Sequence, residues 1–197
     1  ELLLDLAHAI NYEVRNLARR GCKYIQIDEP LFARYPEKAL AVGIRMIEKC
    51  FEGVGTDAEK VVHICCGYPG HLDQEDYLKG DPKAYAMLSE KLDLCRSIDT
   101  ISIEDAHDHN DLHLLRNYRN KNIILGVVAI GKSRIETVEE IEKRIEEALE
   151  HIEIERLYVA PDCGMGLLNP GLARKKLENM VIASRNVRER KGASSSG

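Results

Sequence analysis

The chain has 197 residues, 44% hydrophobic and 31% charged, which is globular rather than disordered or fibrous composition. No apolar run approaches the ~18–20 residues that span a bilayer. With 28 basic against 33 acidic residues, a net charge of −5, the balance argues against the basic face that nucleic acid requires.

The first predicted element is an amphipathic helix over 2–20, with Leu3, Leu6, Ile10, Val14 and Leu17 at steps of three and four and Gly21 as its stop. Lys23-Tyr-Ile-Gln-Ile-Asp28 follows as a strand ended by Glu29-Pro30. Helices are expected near 36–52, 81–97, 111–118, 136–150 and 170–190, and strands at 60–66, 99–104, 122–128 and 155–160. The helix over 136–150 has the clearest pattern. Val138, Ile141, Ile145 and Leu149 form one stripe, and Thr137 with Glu140 makes a capping box. Residues 191–197 read as a disordered tail after a single domain over 1–190.

Strands alternating with helices predict parallel βαβ units, which a doubly wound sheet or a barrel would both satisfy. The polar residues favour the barrel. Asp28, His63 with Cys65, Glu104 and Cys163 stand at or just past the C-terminal ends of different strands, the usual origin of a barrel's active-site groups. Gln26 with Asp28, His63 with Cys65, and Ser102 with Glu104 share a face by alternation, while Ile27, Ile64 and Ile103 point the other way. The fold class is therefore α/β, a (β/α)8 TIM barrel of which this chain supplies the C-terminal five or so βα units. A complete barrel takes eight strands, so roughly three units are expected before residue 1.

Six cysteines stand at 22, 50, 65, 66, 95 and 163. A chain this large and apolar needs no disulfide framework, and no secretory signal pattern is visible, so a reduced, cytoplasmic protein is expected. Two thiolates, one imidazole and one carboxylate, from His63, Cys65, Cys163 and Glu104, make a tetrahedral zinc shell. Small buried cysteines fill cores equally well, and an isolated H-x-C motif does not decide between the two.

Four segments carry a resemblance: Ile25-Gln-Ile-Asp-Glu-Pro30, His63-Ile-Cys65, Ile101-Ser-Ile-Glu104 and Pro161-Asp-Cys-Gly164. In order and context they resemble the C-terminal catalytic barrel of the cobalamin-independent methionine synthase family, over about residues 20–185. The resemblance implies Zn2+ held by His63, Cys65, Glu104 and Cys163, with Asp28 receiving the amino group of homocysteine. It implies methyl or alkyl transfer to a small thiol. Two related readings are a folate-independent alkyltransferase or lyase, as in epoxide opening by coenzyme M, and an inactive barrel fragment. Where the family has Asp-x-His-Ser, whose His protonates the departing folate, this chain has Ala129-Ile-Gly-Lys132.

Near the site, His107-Asp-His109-Asn-Asp111 reads as a polar loop with Asp111 capping the next helix, and His107, its member closest to the site, as a candidate catalytic acid. Cys66 is expected to face the core, Glu29 to form a salt bridge behind its strand, and Asp162 to orient the Cys163 turn. The expected partner is a small-molecule thiol, with neither nucleic acid nor membrane. Exposed sheet edges favour homo-oligomer formation.

Overall fold

The computed structural model describes residues 1–81 and 83–194. Helix α1 (Leu2–Arg19) precedes strand β1 (Tyr24–Glu29). Helix α2 (Pro36–Lys38) runs through a π-helical turn, Ala39–Gly43, into α3 (Ile44–Cys50), and β2 (Glu59–Ile64) follows. Then come α4 (Ala84–Asp93), β3 (Thr100–Ile103), a 3-10 segment Leu112–Asn117, β4 (Asn122–Val128), α5 (Val138–Ala148), β5 (Leu157–Pro161) and α6 (Pro170–Ser194). The strands form one wholly parallel sheet in the order β1-β2-β3-β4-β5. Sequential parallel neighbours joined by helical crossovers are the barrel pattern, here open at β1 and β5.

The alternation read from the strands is the one observed. Ile25, Val62, Ile64, Ile101, Ile103, Ile123 and Leu125 are buried in one cluster with Ile47 of α3, Leu88 and Leu92 of α4, and Ile141 and Ile145 of α5. β-branched side chains suit this layer because each strand is covered by helices on its outer face. The inner face carries the row Asp28, His63, Ser102, aligned Cα to Cα across β1, β2 and β3. Of the expected stripe on α1, only Val14 is buried; Leu3, Leu6, Ile10 and Leu17 are exposed. The edge residues Tyr24 and Tyr158 are exposed as well. Five strands do not close on themselves, so apolar surface remains at both open edges and along α1.

Local differences have physical causes. Strand β5 starts at Leu157 because Ile154–Arg156 forms a 3-10 turn, in which the Arg156 guanidinium donates to the Tyr118 and Lys121 carbonyls at 2.7 and 2.8 Å. The expected helix at 111–118 is a 3-10 segment, capped as expected by Asp111, whose side chain accepts the His113 N–H. The Thr137/Glu140 capping box is present. Of the expected tail, residues up to Ser194 continue α6, and 195–197 lie outside the described residues.

The segment after β4 is pinned from below. Lys176 of α6 is fully buried and donates to the Ala129 carbonyl at 2.9 Å and to both Glu136 carboxylate oxygens at 3.1 and 3.0 Å. Glu136 in turn accepts the Ala129 N–H at 3.0 Å. Removing one partner strands the other charge in a poorly solvated place. Lys176→Met is therefore expected to lower unfolding stability by about 3 kcal/mol; a urea midpoint indistinguishable from wild type would contradict this.

Candidate metal centre

His63 stands near the end of β2, Cys65 is the first residue past it, Glu104 is the first past β3, and Cys163 lies two residues past β5. Parallel strands bring these ends to one rim. One ligand atom from each of His63, Cys65, Glu104 and Cys163 lies within 4.8 Å of the others, and the first three residues are buried. Asp28 lies on the same face beside His63 in register, with Oδ1 accepting the Gln26 amide at 2.7 Å.

The His63 ring is already oriented for a ligand. Its Nδ1 lies 2.9 Å from Ser102 Oγ. Its Nε2 is buried without a hydrogen-bond partner, 3.9 Å from Glu104 Oε1. A buried imidazole nitrogen left unpaired is costly unless something else meets its lone pair. With Nδ1 protonated and donating to Ser102, that lone pair points at two thiols and a carboxylate, a donor set that suits a zinc-like cation. The residues fit such an ion.

The charges agree. A hydrogen bond from the Cys65 thiol and the closeness of the His63 ring hold the Cys163 thiol well below its ordinary range, which favours the thiolate. Its partner Cys65 is driven upward by that hydrogen bond and by burial. Burial lowers the His63 pKa, but the nearby Cys163 sulfur, with the Glu104 and Asp28 carboxylates, lifts it above its ordinary value. Glu104 is pushed up to about 7 by burial and by the nearby Asp162 carboxylate. Too much negative charge meets in a dry place, which a divalent cation would relieve.

Tyr85, one residue into α4, ties the rim together. Its hydroxyl donates to the Ile64 carbonyl at 2.9 Å and accepts the Glu104 N–H at 3.0 Å. Cys66 is turned away from the cluster toward this hydroxyl, at 3.1 Å, while its N–H donates to Glu104 Oε1 at 3.0 Å. Sequence reasoning missed Tyr85, because nothing in a helix marks a tyrosine that reaches a strand end. Ser102 carried a signal: it shares a face with Glu104 and pairs in register with His63.

Other expected residues are placed differently. Glu29 makes no ion pair among the described residues; it accepts the Leu31 N–H at 2.9 Å and so caps the turn after β1. His109 is mostly exposed beside Asp105, and His113 sits on Asp111 at the surface. Both ring nitrogens of His107 are occupied. Nδ1 lies 2.6 Å from Asp162 Oδ2, and Nε2 accepts the Gly131 N–H at 3.0 Å. A Cβ at Gly131 would lie 2.6 Å from Pro69 Cγ and 3.1 Å from His107 Nε2, so the space for a side chain there is filled. Lys132 pairs with Glu75 at the surface at 3.1 Å.

The family model for the cobalamin-independent synthase catalytic domain matches residues 1–186. The chain belongs to that family. Among curated relatives, a methionine synthase of Pyrococcus horikoshii is 34% identical over 188 residues, covering 95% of this chain and 50% of the relative. One from Saccharolobus islandicus is 34% identical over 198 residues, covering 98% and 54%. A B12-independent methionine synthase from a Shewanella species, solved with selenomethionine, superposes with a TM-score of 0.85 at 28% identity, over 96% of this chain and 55% of that one. A Listeria monocytogenes structure, titled a putative vitamin-B12-independent methionine synthase, shares the fold at a TM-score of 0.67 and 19% identity. The chain spans about half the length of the curated relatives it matches.

The Glu104 shift gives a pH-dependent prediction for the metal-free chain. A buried carboxyl raised from 4.5 to about 7 favours the folded state when protonated, and that stability is lost as pH rises from 4.5 through about 7. Glu104→Gln cannot ionise, so relative to wild type it should become more stable across this window, by up to about 3 kcal/mol. Unfolding curves of both metal-free proteins between pH 5 and pH 8 measure this, and a constant difference would contradict it.

Proposed function

We propose that His63, Cys65, Glu104 and Cys163 hold a zinc ion, and that the protein transfers a methyl group to the sulfur of a small thiol, homocysteine. The observation that carries this reading is the orphaned His63 Nε2, buried and facing two thiols and a carboxylate. Membership of the cobalamin-independent synthase family supports the thiol and the methyl group. Free cysteines in every position suit a reduced, cytoplasmic setting.

Zinc, when bound, favours the thiolate form of the substrate sulfur at neutral pH, where a free thiol is mostly protonated. The chain's residues do the rest. Ser102 fixes the His63 ring, and Cys163 enters the site already ionised. Glu104, its carboxyl pushed up to about 7 by burial and by Asp162, would be the ligand that gives way to the substrate sulfur. Asp28, exposed on the inner face and steadied by Gln26, receives the ammonium group of the amino acid. The substrate sulfur attacks the methyl carbon; the S–C bond forms as the carbon–donor bond breaks, and the leaving group keeps the electron pair. That group departs without a proton from residue 131, because Gly131 has none to give and no room for a side chain.

Metal analysis of the purified chain should return about one zinc per chain, as a single four-ligand set requires. His63→Ala and Cys163→Ser should each lose it, and unchanged zinc in both would end the assignment. Asp28→Asn should keep the zinc yet weaken homocysteine binding by about tenfold or more, the usual cost of a charged hydrogen bond. Titration calorimetry separates the two effects, and unaltered homocysteine affinity would remove Asp28 from the substrate site.

A further inference from the structure

Asp162 is 1% exposed, and no lysine or arginine pairs with it among the described residues. A buried carboxylate without a cation must be stabilised by donors. Asp162 has four. Oδ1 accepts the backbone N–H groups of Asp105 and Ala106 at 3.0 and 2.9 Å; Oδ2 accepts the N–H of His107 at 2.8 Å and His107 Nδ1–H at 2.6 Å. The three amides it collects are the three that follow Glu104, and the residue after Asp162 is Cys163.

The surroundings are shaped to this carboxylate. A Cβ at Gly126 would overlap Asp162 Oδ1, and the pairing of β4 with β5 shifts between Gly126 and Val128. The extra residue of this bulge, Val127, lies on β4, so the bulge bends the chain that leads to Gly131. His107 carries the link onward, since its Nε2 accepts the Gly131 N–H at 3.0 Å. One carboxylate thus joins the segments after β3, β4 and β5.

We propose that Asp162 is the positioning residue of the metal centre: by gathering the amides after Glu104 while adjoining Cys163, it sets the distance between those two ligands. His107 is its strut to the Gly131 segment and reaches the site only through Asp162. The proposal rests on the metal-site reading above.

Cobalt(II) is the probe, because its visible absorption reports coordination geometry and the number of thiolates. In Asp162→Asn an amide N–H2 replaces one acceptor oxygen and faces N–H donors. The variant should fold at low temperature, by far-ultraviolet circular dichroism, yet bind cobalt 10- to 100-fold more weakly, with reduced thiolate-to-cobalt absorption. His107→Ala should show a smaller loss of the same kind. His107→Asn, whose amide N–H still reaches Asp162, should recover it. A merely structural role would lower the unfolding midpoint and leave cobalt affinity and spectrum unchanged in the folded variants; that result overturns the proposal. Should Asp162→Asn fail to fold, the His107 pair decides: loss with Ala and recovery with Asn supports the proposal, and equal affinity in both and in wild type overturns it. Wild-type chain that binds no cobalt overturns the metal-site reading, and this inference with it.

Discussion

The site depends on parallel register. Because β1, β2 and β3 run side by side in the same direction, Asp28, His63 and Ser102 fall on one row, and the next inward positions, Cys65 and Glu104, fall one step nearer the rim. A slip of one residue in any of these strands would turn its polar residues outward, into the isoleucine layer under the helices. The aliphatic core therefore does more than hold the chain together. By requiring Ile64 and Ile103 to face out, it requires His63, Cys65, Ser102 and Glu104 to face in.

Placed there, the proposed ligands create an electrostatic problem that the fold only partly solves. Ser102 meets one nitrogen of His63, and the Cys66 amide meets one oxygen of Glu104, but the Cys163 thiolate and the raised Glu104 carboxyl remain together in a poorly solvated place. Proteins normally avoid such crowding, and where they keep it a cation or a reaction accounts for it. The residues around the cluster, Tyr85, Asp162 and His107, direct their hydrogen bonds to backbone groups of the rim segments, to each other and to Cys66 rather than to the clustered ligand atoms. They fix where the ligands stand and leave the ligand atoms free.

Much of this was legible in the sequence, for identifiable reasons. Strand β4 is bounded as expected because Ile-Ile-Leu-Gly-Val-Val is an apolar run rich in β-branched residues, and α5, expected over 136–150 and observed over Val138–Ala148, starts where its cap is written in Thr137 and Glu140. The four clustered residues could be named because each stands at or just past the end of a strand, and for His63, Cys65 and Glu104 alternation gives the face. Less legible was whatever depends on contacts between distant segments. The stripe on α1 predicts a helix correctly, but whether it is covered depends on neighbours that periodicity does not reveal. Glu29 was expected to form an ion pair and instead caps a turn, since an adjacent amide costs less entropy to reach than a long basic side chain. His107 sits in a histidine-rich loop that suggests acid chemistry; its partners, Asp162 and the Gly131 amide, are 55 and 24 residues away and left no local signal.

The central claim, a four-residue centre with a place for substrate sulfur, is most directly tested by X-ray absorption at the zinc edge of the zinc-loaded chain, with and without homocysteine. The account predicts two sulfur neighbours at about 2.3 Å and two lighter atoms at about 2.0–2.2 Å. On adding the thiol, a third sulfur should replace one light atom. A shell of nitrogen and oxygen only, or one that homocysteine leaves untouched, would contradict it.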